Sequence, residues 1–573
     1  MPRYRWREPA AVPDWAYSLA DHPLVAALLY RRGIRDPQAA QRFLVPSLDD
    51  LADPHELPEI DRAVDLIART SRNGGRVVIF GDYDVDGLTA TTLLVHLFRS
   101  LGVEPVPMVP HRLRDGYGFR SHHVPRVLEH RPVLLVTVDC GTGDWEALEA
   151  VRQAGVPVIV LDHHDVHEAA WPAELVFVSA KRSDTPAPFR TLAAVGVAYQ
   201  VARVVFGDRR AVRWLPLVAL GTVADVVPLV GMNRVFVALG LDSFWDDAPI
   251  GLRALADHAG LRAGSHLTAW HCGYILGPRL NAAGRMDDPV LALELLLTDD
   301  ASRARELART LSELNAERQR AIERMLRDAE GRLRARQALP PVLVLADETW
   351  HVGLVGLAAS KLVSRYARPV VLLSQEAEVS RGSARSVDGF DISLALERCR
   401  DLLLDHGGHS AAAGLTIPTE RIAELEARLL ELAWTAFGSD GPALPLDLDL
   451  ELRPFQITLD TLDVLARLEP FGHGNPVPRC LVRDVLAMNP SVTQDGRHVR
   501  FTVVARDGTV RQAVWFDGGT EVDRLRAGER IDIAFTLRRN SWNGGERVEL
   551  DVIDVRPTQG RSARSERAEC VVD

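Results

Sequence analysis

VVIFGDYDVDG, residues 77–87, runs four apolar residues into three carboxylates on alternate positions, Asp82, Asp84 and Asp86. Carboxylates held this close repel one another and shed water reluctantly, so the arrangement calls for a cation. The apolar run reads as a short buried strand, which puts the acidic set at its carboxyl end. In an open parallel sheet that edge is where ligands bind.

The pattern recurs downstream. VLLVTV (133–138) runs into Asp139, and VPVIVL (156–161) runs into Asp162, His163 and His164. Helices expected over about Thr89–Arg99 and Trp145–Gln153 separate these runs, which is the alternation of parallel βαβ units. A fourth apolar segment, Leu217–Val223, delivers Asp225. All four sets should therefore converge in one crevice, although they are far apart in the chain.

Plainer readings fail jointly. DxDxDG opens like a calcium loop, but the twelfth position from Asp82 is Leu93 where a bidentate Glu is required, and a strand precedes it. Asp162 alone could cap a helix, and a lone His is more often structural. Four such clusters at one sheet edge make coincidence a poor account. Five or six carboxylates with one or two imidazoles exceed the needs of one ion and suit two, about 3.5–4 Å apart with one carboxylate shared. Oxygen-rich ligands favour Mn²⁺ or Mg²⁺ over Zn²⁺. Such a pair clamps a phosphoryl centre, so phosphoester hydrolysis leads.

In order, GDYDVDG, VTVDCG, LDHH and GTVADVVPL resemble the four metal-binding motifs of the DHH phosphoesterases, named for a triplet that is here Asp162-His163-His164. The resemblance implies Asp84, Asp86, Asp139, His163 and Asp225 as ligands to two divalent cations, Mn²⁺ preferred or Mg²⁺. Asp139 would bridge, Asp82 would assist, and His164 completes the catalytic set. Some members have a His where this chain has Phe80, and Asp82 is the natural substitute. Further stretches, FLVPSLDDLADPHELPEIDRAV (43–64), PHRLRDGYG (110–118) with Arg112, GPRLNAAGRM (277–286), SARSVDGFDIS (383–393) and DHGGHSAAAG (405–414), are similar to the RecJ branch, the single-strand-specific exonucleases of bacteria.

The same segments make sense residue by residue. Arg279 and Arg285 with Asn281, and Ser383 with Arg385, offer forks for phosphate oxygens. His406 and His409 flank Gly407 and Gly408, whose backbone could approach an anion closely. The plain alternatives are solvated arginines and a glycine helix stop. His409 is expected to support the phosphate or the leaving group.

Residues 301–337 form a long amphipathic pattern with Leu307, Leu311, Leu314, Ile322, Met325, Ala329 and Leu333 on one stripe, a helix of about 55 Å. It reads as a connector placing two domains on opposite walls of a cleft that admits one strand; a coiled-coil surface is the alternative. Beyond it, VLVLAD (342–347), LAASKLVSRYA and VVLLS predict a second α/β unit ending near 437. After Pro445 the period switches to two. Hairpins turning at Asp507-Gly508 and Asn543-Gly544 predict a β-barrel OB-fold, a common single-strand platform. Trp515, Phe516, Phe535, Trp542, Arg538 and Arg539 are its candidates for base stacking and backbone contact, with core packing the alternative for the aromatics.

The expected fold class is thus α/β. An N-terminal helical segment packed on the core (1–75) precedes the DHH metal domain (76–300). The connecting helix (301–339), the DHH-associated domain (340–440), the OB-fold (445–557) and a disordered tail (558–573) follow. Net charge is −11, from 67 basic and 78 acidic residues, but carboxylates that hold metal do not repel a bound strand, so nucleic acid stays open as a partner. Five dispersed cysteines form no disulfide framework and no apolar signal or membrane span is found, which points to the cytoplasm.

The function so implied is a 5′-to-3′ exonuclease that releases 5′-mononucleotides from single-stranded DNA in repair and recombination. It is expected to be a monomer, with single-strand-binding protein and repair helicases as further partners. The rivals are a small-substrate phosphoesterase of the same superfamily, acting on short RNA, cyclic dinucleotides or pyrophosphate, and a non-catalytic replication scaffold.

Overall fold

The computed structural model describes residues 4–558 except 113, 167–173, 337, 439–441, 527 and 541–544. The chain opens on a strand, β1 (Tyr4–Arg7), where the sequence reads as short helices and turns. It escapes prediction because its partner lies more than 400 residues downstream. The helices that follow divide their loyalties. Val25, Leu28, Leu29 and Ala40 are buried against the C-terminal barrel, whereas Leu57, Ile60, Ala63 and Ile67 join the first α/β core.

That core surrounds five parallel strands: β2 (Val77–Phe80), β3 (Val106–Met108), β4 (Leu134–Val138), β5 (Val158–Asp162) and β6 (Val176–Ser179). Their spatial order is β3-β2-β4-β5-β6. The order reverses between β2 and β4, the point where a crevice opens at the strands' carboxyl ends. Trp145–Gln153 is helical as expected. The first helix begins earlier than expected, at Val85 rather than near Thr89, because Asp84 caps it by accepting from the amides of Asp86 and Gly87. The apolar segment before Asp225 is not another strand but the helix Leu215–Ala224, buried on nearly every side, so it carries no helical periodicity to reveal it.

GPRLNAAGRM is the helix Gly277–Met286. The connector follows as Ala301–Arg334, about 51 Å long. Its Leu307 and Leu311 bury in the first core, and its Ile322, Met325, Ala329 and Leu333 bury in the second. The apolar stripe is therefore covered by the chain's own two domains. The second domain holds β7 (Leu343–Asp347), β8 (Val370–Ser374), β9 (Val379–Arg385), β10 (Asp405–His409) and β11 (Ala412–Pro418), in the order β10-β11-β9-β8-β7. DHGGH is thus an edge strand rather than a helix stop.

β12 (Leu444–Asp447) receives β1, and β13 (Leu450–Glu451) leads into the barrel. Its strands are β14 (Cys480–Val492), β15 (Val499–Val504), β16 (Val510–Trp515), β17 (Arg530–Asn540) and β18 (Arg547–Pro557). The order β14-β15-β16-β18-β17 closes through β14–β17, with β16 and β18 parallel, which is the OB topology. Trp542 with the Asn543-Gly544 turn, and the tail beyond Thr558, lie outside the described residues. Among the described residues no helix is long and apolar enough to cross a membrane.

Candidate metal and phosphate site

At the switch point the four sequence motifs meet. Asp139 follows β4 with φ +61°, a left-handed conformation that Asp tolerates better than most residues and that turns its carboxylate into the crevice. Ligand-capable atoms of Asp82, Asp84 and Asp139 lie within 4.8 Å of one another, as do those of Asp86, His163 and Asp225 and those of Asp139, His163 and His164. Asp139 and His163 each belong to two of these groups. The His163 ring lies between them, with Nε2 3.2 Å from Asp139 and Nδ1 3.5 Å from Asp225.

The supports are specific. The Asp86 carboxylate accepts from the amides of Ala194 (2.7 Å) and Val195 (2.9 Å), at the start of the helix Ala194–Phe206. Asp162 is saturated: it accepts from the Thr142 amide and hydroxyl, the His163 and His164 amides and the His164 ring. It therefore orients the histidines and is not a ligand. The Tyr117 hydroxyl reaches the His164 ring and the Asp139 carbonyl oxygen (3.3 Å).

The electrostatics suit a site for cations. Burial first, and then mutual repulsion, pushes Asp82, Asp86 and Asp139 well above the usual carboxylate range. Asp225 is raised to about 7 by burial and the charge of Asp84. Buried Oδ1 of Asp82 has no hydrogen-bond partner. Burial and the neighbouring His164 lower His163 to about 4, leaving it neutral and able to donate a lone pair. Burial disfavours a charged His164, but its bond to Asp162 prevails and lifts it to about 9.

The opposite charge gathers across the cleft. Arg285 donates to the Gly353 carbonyl oxygen (3.2 Å), joining the first domain to the second. Burial, then Arg112 and Arg318, lower Arg285 to about 9, and burial with Arg112 lowers Arg385. Arg385 donates to the Ser383 hydroxyl (2.7 Å). Both side chains face Gly356, where a Cβ would sit 3.0 Å from each, at the start of the helix Val355–Tyr366. Four guanidiniums beside a helix N-terminus make an anion site. Sequence reading missed Arg318, although Asn315 and Arg318 break the connector's apolar stripe; it also missed Tyr117, Thr142 and the Gly353–Gly356 turn.

Other expected residues sit apart or play other parts. Arg279 donates to the Ile275 carbonyl oxygen in the turn just before its helix, and its Nε is buried without a partner. Asn281 lies half-buried on that helix. His406 pairs with Glu397 (3.2 Å), while His409, Gly407 and Gly408 are exposed on the β10 edge. In the barrel, Trp515 is 4% exposed and Phe535 is fully buried, both in its core, so neither offers a face to a base. Arg538 is engaged by Glu549 and Arg539 by Asp463 and Glu546. Phe516 is 41% exposed, with the Arg538 guanidinium 5.0 Å above its ring.

Comparison with known proteins identifies three domains along the chain. The DHH family, N-terminal domain, matches residues 76–222, the DHHA1 domain residues 339–435, and the RecJ OB domain residues 448–554. A single-stranded-DNA-specific exonuclease RecJ of Bacillus subtilis is 32% identical over 559 residues, covering 96% of this chain and 71% of that protein. One of Dickeya dadantii is 33% identical over 570 residues, covering 95% and 97%. The crystal structure of Thermus thermophilus RecJ in complex with Mn²⁺ superposes with a TM-score of 0.82 at 31% identity, covering 97% of this chain and 80% of that one. A second crystal structure from the same source holds Mg²⁺. With these domains in this order and this identity along nearly its whole length, the chain belongs to the RecJ family.

Proposed function

We propose that this chain is a metal-dependent exonuclease specific for single-stranded DNA, degrading it from the 5′ end to 5′-mononucleotides in cytoplasmic repair and recombination. The observation that carries the reading is the facing of two like-charge clusters, one acidic and joined through Asp139 and His163, the other built of Arg112, Arg285, Arg318 and Arg385. Each is unfavourable alone, and each is relieved by its own ligand, divalent cations and phosphate.

The donor set fits two cations, with Asp82, Asp84 and Asp139 on one side and Asp86, His163 and Asp225 on the other. When bound, they supply Lewis acidity, a water of lowered pKa and stabilisation of the leaving oxygen. The chain's own residues do the rest. Asp139, 3.2 Å from the His163 ring, would be the carboxylate shared between the two sides, and Asp162 and Tyr117 hold the His164 ring in place. Four guanidiniums exceed what a diester monoanion needs and suit a terminal phosphomonoester, which a 5′ end carries. That supports the polarity. Single-strand-binding protein and repair helicases are the partners such a role would bring.

The test offers purified protein Mn²⁺ with strands labelled at either end, a duplex, pyrophosphate and a cyclic dinucleotide. Only the single strand should be consumed, from its 5′ end. Preferential loss of a small substrate would favour the phosphoesterase rival, and no hydrolysis the scaffold. Asp139→Ala should lose about 10³-fold or more in activity while keeping the fold. Normal hydrolysis by the folded variant refutes the bridging role.

A further inference from the structure

At the Asp225 end of the metal centre two large aromatic side chains stand in solvent. Trp270 and Tyr274 are 55% and 69% exposed, and their rings stack with centroids 5.8 Å apart at an interplanar angle of 22°. They lie on the helical run Ala269–His271, which widens into a π-turn over Cys272–Leu276 before continuing as Gly277–Met286. Widened turns of this kind cluster at functional sites. The run is pressed onto the helix capped by Asp225: a Cβ at Gly273 would lie 3.6 Å from Val223, and one at Gly277 3.7 Å from Ala224. Val226, the next residue, is 66% exposed with φ +61°, a rare conformation for a β-branched side chain. One continuous helix thus carries the aromatic pair at one end and Arg285 at the other, about 16 Å along its axis from Tyr274 and about 22 Å from Trp270.

Single exposed apolar residues need no explanation. A stacked pair held on a π-turn beside a metal centre does. We propose that Trp270 and Tyr274 form a nucleobase-stacking platform for the strand retained beyond the scissile phosphate. The inference rests on the exonuclease reading. With the terminal phosphate among the guanidiniums near Asp84 and the scissile phosphate at the acidic cluster, a strand continuing toward Asp225 would pass the helical run that carries the two rings. Every base has a π-face, so such a platform tolerates any sequence, but it requires bases that are unpaired. It therefore adds strand selectivity that phosphate contacts alone, equally available to a duplex, do not supply.

The test uses the full chain with Mn²⁺ and a long 5′-phosphorylated oligothymidylate, intact or abasic beyond its first nucleotide. Trp270→Ala with Tyr274→Ala should raise KM on the intact strand about tenfold or more with kcat retained, and Trp270→Phe with Tyr274→Phe should keep the wild-type KM. On the abasic strand the wild type should fall to the level of the alanine variant. Equal KM for wild type and alanine variant on the intact strand overturns the platform, as does a difference that persists on the abasic strand. Failure of the underlying reading is separate: the wild type would leave both strands intact while consuming pyrophosphate or a cyclic dinucleotide.

Discussion

Tyr117 shows how much of the site lies in side chains that bind nothing themselves. Its hydroxyl touches the ring of His164 and the backbone of Asp139, so Tyr117→Phe removes one atom and frees both. Such supporting contacts are worth about 10–100-fold in activity or metal affinity, and the variant should show that loss in kcat/KM and in Mn²⁺ titration with its melting temperature unchanged. Asp225 makes a second test, on pH. Its folded value of about 7 stands above the ordinary 3.8, so the metal-free folded protein holds a proton that the unfolded chain has released. That contribution to stability is full at low pH and is lost as pH rises through about 7. Cations displace the proton, so the gain in melting temperature on adding Mn²⁺ should grow between about pH 5 and about pH 8. A gain that stays flat with pH contradicts the assignment.

Elements explain why some of this was legible and some was not. GDYDVDG announces itself because both glycines are forced: a Cβ at Gly81 would meet the Thr91 hydroxyl at 2.0 Å, and one at Gly87 would lie 2.6–2.8 Å from the Asp82 backbone. Gly87→Ala should therefore destabilise by about 1–3 kcal/mol, and because the loop carrying Asp82 must move, activity should fall further than thermal melting alone accounts for. Activity that tracks stability would mean the loop has slack. Strand-end acids were readable since a buried parallel strand is a short apolar run and the sheet edge follows from topology. Asp225 arrived with no element assigned to the segment before it, as a run apolar on every side has no period to separate helix from strand. Trp515 was readable in principle: Ala513 and Trp515 share the inward face of β16 at a period of two, which leaves Phe516 beyond the strand's end as the exposed ring. The guanidinium cluster assembles from four distant segments, and only the polar break at Asn315 and Arg318 marked the connector's share.

The molecule as a whole resists being tested by truncation. Arg234, on the helix Gly231–Asp242 of the first domain, donates to the carbonyls of Phe43 (2.7 Å), Glu469 (2.6 Å) and Pro470 (3.4 Å), and stacks over the Phe43 ring at 3.7 Å. N-terminal segment, metal domain and the approach to the barrel are pinned at one side chain. Trp6 adds a bond to Asp554 (2.7 Å), and Leu28 and Leu29 are fully buried in the barrel's own core. Removing residues 445–573 would uncover that apolar surface, so lost strand affinity in the truncated chain would report damage as readily as a missing contact. A point substitution is cleaner. Phe516→Ala leaves the core alone, and Arg538 should stay because the buried Glu549 depends on it (2.7 Å). If the barrel guides the strand, this variant should bind long oligothymidylate about three- to tenfold more weakly, hydrolyse a dinucleotide at the wild-type rate and recover with Phe516→Trp. Unchanged affinity for the long strand would place the strand's path off this face of the barrel and leave the platform beside Asp225 as the grip on its bases.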